Sequence, residues 1–130
     1  MPNFNADEVE QHEKSAWEST AEIYAETGGV LTAMSGQAEL AINFGEIDAD
    51  CDVLDLGCGP GQLTAAISKV AATVKGADFA ENMIRVAHQT FPDLSFQVAN
   101  GEELPFKEDV RCCCRQLHRA SPRTTRTRLW

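Results

Sequence analysis

The 130-residue chain reads as an α/β protein: the first half of a doubly wound parallel sheet, about three strands, preceded by helices and followed by an irregular basic tail. Three observations predict this. Between residues 51 and 98, short apolar runs bounded by turn residues alternate with helical periodicities. Each connection between runs is long enough to hold a helix, so consecutive strands are expected parallel, with right-handed crossovers. A glycine-rich turn stands directly between the first run and the first of these helices.

The elements follow in order. Val9, Trp17, Thr20, Ile23 and Tyr24 fall near one face at 3.6-residue spacing, predicting an opening helix ended by Gly28-Gly29. Leu31, Met34, Ala38 and Ile42 predict a second helix, broken at the polar stretch from Gly45 to Asp50. Cys51-Asp52-Val53-Leu54-Asp55-Leu56 is a buried strand, and Gln62 to Val70 a helix with Leu63, Ala66, Ile67 and Val70 on one face. Ala72 to Ala77 is a second strand with Asp78 at its end. Glu81 to Thr90 is a helix stopped by Pro92, and Leu94 to Val98 alternates as a third strand. Residues 1–50 are thus cap helices, 51–110 a ligand-binding half-domain, and 111–130 a separate tail.

Composition bounds the function. Apolar residues make up 43% and charged residues 24%, the usage of a folded domain, and the length suits one domain. No stretch approaches the roughly 20 apolar residues of a membrane span. The polar, acidic N-terminus lacks the pattern of a secretory signal. Five cysteines, unevenly placed, fit a reducing compartment, so a cytoplasmic location is expected, with no membrane partner. The net charge of −9 is unevenly spread: all 20 acids lie before residue 111, and six of the 11 basic residues lie after residue 110.

The chemistry is carried by Asp55-Leu56-Gly57-Cys58-Gly59-Pro60-Gly61. Glycines at every second position let backbone approach a ligand without Cβ obstruction. The helix start behind them is expected to offer amide N–H groups to an anion. Asp78 stands 21 residues after Gly57, where an acid can accept hydrogen bonds from both ribose hydroxyls of an adenosine. A turn of this kind also occurs as a ligand-free connection, but here the turn, the helix and the strand-terminal acid agree in register. The spacing is G-x-G-x-G rather than G-x-G-x-x-G, with an acid two residues before the first glycine. That acid repels a pyrophosphate and attracts an ammonium group, so the expected ligand is an adenosine carrying an amino acid.

At these residues the chain resembles the class I S-adenosylmethionine-dependent methyltransferases, a Rossmann-like family, and particularly its small-molecule group called methyltransferase type 11. Val53 to Gly61 is similar to the family's first motif at every position. The resemblance implies that Asp55 and the backbone of Gly57, Cys58, Gly59 and Gly61 hold the methionine part of S-adenosylmethionine. It implies that Asp78 binds the ribose, with Phe79 and Met83 beside the adenine. Asn100-Gly101-Glu102-Glu103-Leu104-Pro105-Phe106 resembles the family's segment after strand three, where Asn100 would accept from the adenine amino group. Trp17, Ala21 and Tyr24 match a looser pattern in a helix that caps the cofactor. The implied partner is a small-molecule methyl acceptor. No catalytic base is identified, Cys58 is not expected to be a nucleophile, and His12, His88 and His118 are too scattered to nominate.

The resemblance stops near residue 110. The family's fourth strand is expected there, but the chain reads Val110-Arg111-Cys112-Cys113-Cys114-Arg115, a poor buried strand. Codons for Val110 to Ser121, read one base later, permit F-D-V-V-V-A-N-F-I-V-H, which resembles that strand. The chain is therefore expected to be truncated or out of frame after about Asp109, with a disordered tail and an unpaired edge on strand one. Six arginines without interleaved aromatic residues do not make a recognisable nucleic-acid module. Three adjacent cysteines cannot all reach one tetrahedral metal ion, so no metal site is expected. Two rival functions stay open: a non-catalytic remnant that binds a cofactor or partner, and, less favoured by the glycine spacing, a nicotinamide-dependent oxidoreductase.

Overall fold

The computed structural model describes residues 5–101 and 111–114. Helix α1 (Ala6–Glu26) starts at Asn5, whose side chain accepts from the Asp7 amide at 3.2 Å, with Asp7 and Glu8 in the positive first turn. It ends at Thr27, whose hydroxyl donates back to the Ile23 carbonyl at 2.7 Å. Gly28-Gly29, expected to terminate this helix, instead open α2 (Gly28–Met34). Their lack of side chains serves close packing: a Cβ on Gly28 would meet the Tyr24 ring, and one on Gly29 the Gln62 amide.

The second expected helix is two helices, α2 and α3 (Gln37–Phe44), because Gly36 takes a left-handed φ of 71° that breaks the run. Its anticipated apolar stripe is half-buried only along α3, at Ala38, Ala41 and Ile42, the last two packing on Ile47, Cys51, Val53 and Ile67. Leu31 and Met34 remain 68% and 78% exposed, and on α1 Ile23 is 66% exposed.

Strands β1 (Asp52–Leu56), β2 (Thr73–Asp78) and β3 (Ser95–Val98) alternate with α4 (Gln62–Ile67) and α5 (Glu81–Thr90) in the anticipated order, although α4 ends at Ile67, three residues before the expected Val70. A fourth strand, β4 (Arg111–Cys114), joins them in a parallel sheet of order β3-β2-β1-β4. This corrects two expectations. Residues 111–114 do not belong to an irregular tail, and the β1 edge is paired, Val53 opposite Arg111 and Leu56 opposite Cys114. Strand pairing is made by backbone groups, and cysteine behaves as a small hydrophobe, so the sequence Arg-Cys-Cys-Cys tolerates the extended ladder. The rest of the expected tail, 115–130, lies outside the described residues.

The topology positions the site. From β1 the chain winds one way to β2 and β3, and β4 returns to the other flank of β1, so the winding reverses at β1. Open parallel sheets hold ligands outside the strand C-termini at such a point. Beside it, Cys58, Ile84, Ala87 and Phe96 form a buried cluster under the glycine turn. Ala21 of α1 packs with Ala80, Met83 and Val86, docking α1 on α5.

Candidate functional site

The glycine turn leaves the C-terminal end of β1 with Gly57, Gly59 and Gly61 all at positive φ, 76°, 53° and 90°. Side chains at these positions would be strained, which explains the glycine spacing. Every amide of the turn is engaged within the protein. The Ala77 carbonyl accepts from both Gly57 and Cys58, at 2.7 and 3.0 Å, and Gly61 donates to the Cys58 carbonyl at 3.1 Å. Gly59 donates to Asp78 Oδ2 at 2.9 Å, and Pro60 has no N–H. The turn is a bare-backbone cradle rather than an anion nest, and a Cβ on Gly57 would project into open space.

Asp78 ends β2 and latches this turn. Besides Gly59 it accepts from the Ala80 amide, Oδ1 at 3.0 Å, so one carboxylate ties the glycine turn to the start of α5. It is only 7% exposed. Burial pushes its carboxyl above the ordinary value of 3.8, and the charge of Glu18 adds to this; hydrogen bonds from Ala80, Gly59 and Phe79 pull it back. Beyond these amides the two carboxylate oxygens retain acceptor capacity for further donors such as ribose hydroxyls.

Asp55, on β1, is fully buried against α4 and accepts from the Thr64 hydroxyl at 2.6 Å through Oδ2. Its carboxylate is enclosed rather than presented at the surface of the cradle. Thr64→Val is expected to lower stability by about 1–3 kcal/mol, because it removes a donor from a buried carboxylate without changing side-chain shape. A urea midpoint equal to that of the parent chain would contradict this.

Helix α1 lies across the site. Tyr24 approaches the turn, its ring 4.0 Å from where a Gly59 Cβ would stand, and packs edge-on against Trp17 with ring centres 5.6 Å apart. Asn100, just past β3, donates to Glu10 Oε1 at 3.0 Å. Glu18 accepts from the Glu81 and Asn82 amides at 2.5 and 2.9 Å, while Asn82 Nδ2 donates to the Glu18 carbonyl at 2.9 Å. Arg85 and Glu22 form an ion pair at 2.9 Å.

Sequence comparison decides the family. The profile of a methyltransferase domain matches residues 53–129, more than half of the chain. The chain belongs to the methyltransferase-domain family. It is 27% identical over 108 residues to a demethylmenaquinone methyltransferase of Lysinibacillus sphaericus, covering 77% of this chain and 46% of that protein. It is 28% identical over 121 residues to a ubiquinone biosynthesis O-methyltransferase of Proteus mirabilis, covering 84% and 49%. Among solved structures, the YcgJ protein of Bacillus subtilis superposes with a TM-score of 0.56 at 30% identity, covering 60% of this chain and 36% of that one. The chain spans about half the length of these curated relatives.

Within the methyltransferase domain, the structure brings together Tyr24, Gly57, Gly59, Gly61 and Asp78 around one cradle. Phe79 is half-buried beside Asp78, and Gly101 sits near the end of β1, where a Cβ would come within 3.4 Å of Leu56. Cys58 and Met83 have buried side chains. The Cys58 side chain is 5% exposed and packs under the turn, its thiol pushed up by burial and by Asp55, so only its backbone borders the site. Met83 is 2% exposed and faces Ala21 of α1. Sequence reasoning missed Glu10, Glu18 and Thr64. A signal for Glu18 exists: Ala80 at the start of α5 is a poor helix cap, so another residue must supply an acceptor.

Proposed function

We propose that this methyltransferase domain binds S-adenosylmethionine and directs its methyl group to a small molecule. The single observation that carries the reading is the Asp78 latch on a glycine turn whose amides are all engaged, placed where the sheet winding reverses. Such a turn has closely approachable backbone with its own amides satisfied, and its G-x-G-x-G spacing with Asp55 two residues before the first glycine weighs against a nicotinamide dinucleotide. The residues present fit the cofactor: open space at Gly57 for its amino-acid end, and a buried two-oxygen acceptor, Asp78, for its ribose.

When bound, the cofactor supplies a methyl group already made electrophilic by its sulfonium centre. The chain's residues bind, orient and shield. Asp78 accepts from the ribose hydroxyls, Phe79 flanks the adenine, and Asn100 reads its amino group beside Gly101. The backbone of Gly57, Cys58, Gly59 and Gly61 lines the methionine part, and Asp55 favours its ammonium group from within the protein as a negative field. Met83 supports the adenine side from beneath α1. Tyr24 covers the cradle and excludes water. The rate gain comes from alignment of acceptor and methyl, an orientation effect.

The names of the two relatives, demethylmenaquinone methyltransferase and ubiquinone biosynthesis O-methyltransferase, support a small-molecule acceptor. Among the described residues no helix is long and apolar enough to cross a membrane. The free thiols Cys51 and Cys58 fit a reducing compartment such as the cytoplasm. A second reading is cofactor binding without turnover, for which the same cradle suffices. Methyl transfer from labelled S-adenosylmethionine to a quinol and phenol panel separates the two. Labelled product supports the enzyme, and saturable binding without product supports the binding module.

The raised Asp78 carboxyl gives opposite pH slopes. Relative to the unfolded chain, its protonated form is favoured in the fold, so stability declines as pH rises from 3.8 through the raised value. Cofactor affinity, which needs the carboxylate, climbs through the same window. Urea titrations and binding titrations at matched pH check the pair; parallel slopes would contradict the assignment.

A further inference from the structure

Helix α1 meets the C-terminal ends of three strands in turn. Glu10 holds Asn100 after β3, Glu18 holds the first amides of α5 after β2, and Tyr24 reaches the glycine turn after β1. The middle attachment is the densest. Ala80, the N-cap of α5, makes no side-chain cap, and the Glu18 carboxylate from 63 residues away takes that place with both oxygens. Asn82 returns a third hydrogen bond to the Glu18 carbonyl, so the contact fixes the backbone of α1 as well as its side chain. A carboxylate at a helix N-terminus is favoured by the unpaired amides and by the helix dipole. Tyr24 follows Glu18 by six residues on the same continuous helix, so the clamp sets how far its ring stands from Gly59.

We propose that Glu18 is a positioning residue for cofactor retention: by capping α5 it fastens α1 as a strap across the cradle and holds Tyr24 over the glycine turn. The proposal rests on the cofactor reading above. It concerns release more than capture, because a ligand seated under α1 leaves only when the strap lifts. The capped turn is also the one that presents Asp78, so the clamp steadies the ribose acceptor from one side while Gly59 holds it from the other. The nearby negative charge of Glu18 adds to the forces that raise the Asp78 carboxyl, consistent with the two acids facing one small region.

The test uses the full chain with S-adenosylhomocysteine as probe, comparing the parent with Glu18→Ala, Glu18→Gln and, as charge control on the same helix, Glu13→Ala. Stopped-flow displacement is expected to show dissociation about tenfold faster in Glu18→Ala, with association nearly unchanged. Glu18→Gln, whose carbonyl oxygen still accepts one amide, is expected to recover part of the loss, and Glu13→Ala to match the parent. Hydrogen exchange without ligand is expected to quicken along α1 in Glu18→Ala while amides of β1 and β2 keep their protection. Parent-like dissociation in Glu18→Ala, with the parent binding normally, overturns the retention role alone. Failure of the parent to bind overturns the cofactor reading and the retention role together. Exchange that quickens across the sheet rather than along α1 overturns the strap, since Glu18 would then support the fold as a whole.

Discussion

Asp78→Ala is expected to weaken S-adenosylhomocysteine binding by at least about 100-fold, or about 2.8 kcal/mol, while leaving a folded chain. Each hydrogen bond to a charged acceptor contributes about 1.5–3 kcal/mol, and the alanine removes the acceptor for both ribose hydroxyls. The fold loses the acceptor for the Gly59 and Ala80 amides, a cost of about 1–3 kcal/mol for each one left buried without a partner. It also sheds a buried carboxyl that burial had pushed toward its neutral form, which offsets part of that cost. Binding should therefore fall far more than stability. Titration calorimetry beside a urea curve measures both. Parent-like affinity in a folded Asp78→Ala protein would remove Asp78 from the site.

Gly76→Val is expected to have the largest effect on stability. Gly76 lies in β2 between Asp55 of β1 and Phe96 of β3. A Cβ there would stand 2.5 Å from Cδ1 and 2.8 Å from Cε1 of Phe96, and 3.0 Å from the Cys58 sulfur. The same ring closes on Gly61, where a Cβ would be 2.7 Å away, so it cannot retreat in that direction. Overpacking of this kind costs about 1–3 kcal/mol or more, a large share of the 5–15 kcal/mol typical of a domain. The urea midpoint should fall accordingly, and Phe96→Leu in the Gly76→Val background should restore part of it through shared space. Additive losses in the double variant would place the strain elsewhere.

These two glycine–aromatic contacts illustrate what the sequence makes readable. Helix α5 spans the anticipated Glu81–Thr90, because Met83, Ile84 and Ala87 bury one strong face and Pro92 stands after it. Strands β1 to β3 and the turn at Gly57 follow from local apolar runs and local backbone demands. What depends on distant partners was not readable. Gly28-Gly29 read as a helix stop, yet Gly29 also admits Gln62, which only the folded chain brings near. The periodicity from Leu31 to Ile42 ran through Gly36 unbroken, since a single left-handed residue leaves no mark on spacing. Arg111–Cys114 looked unfit for a strand on composition, although parallel pairing with β1 is a backbone matter. At the site, Gly57, Gly59, Gly61 and Asp78 came from spacing, whereas the Thr64 bond to Asp55 and the Glu18 cap join residues that no short pattern links.

The central claim is that the glycine turn and Asp78 form an S-adenosylmethionine cradle on this chain. Calorimetric titration of the folded 130-residue protein with S-adenosylhomocysteine, and separately with oxidised nicotinamide dinucleotide, tests it most directly. The predicted result is a saturable one-to-one isotherm with S-adenosylhomocysteine, lost in Asp78→Ala, and no heat from the dinucleotide. A folded chain that takes up the dinucleotide, or that binds neither, would contradict it.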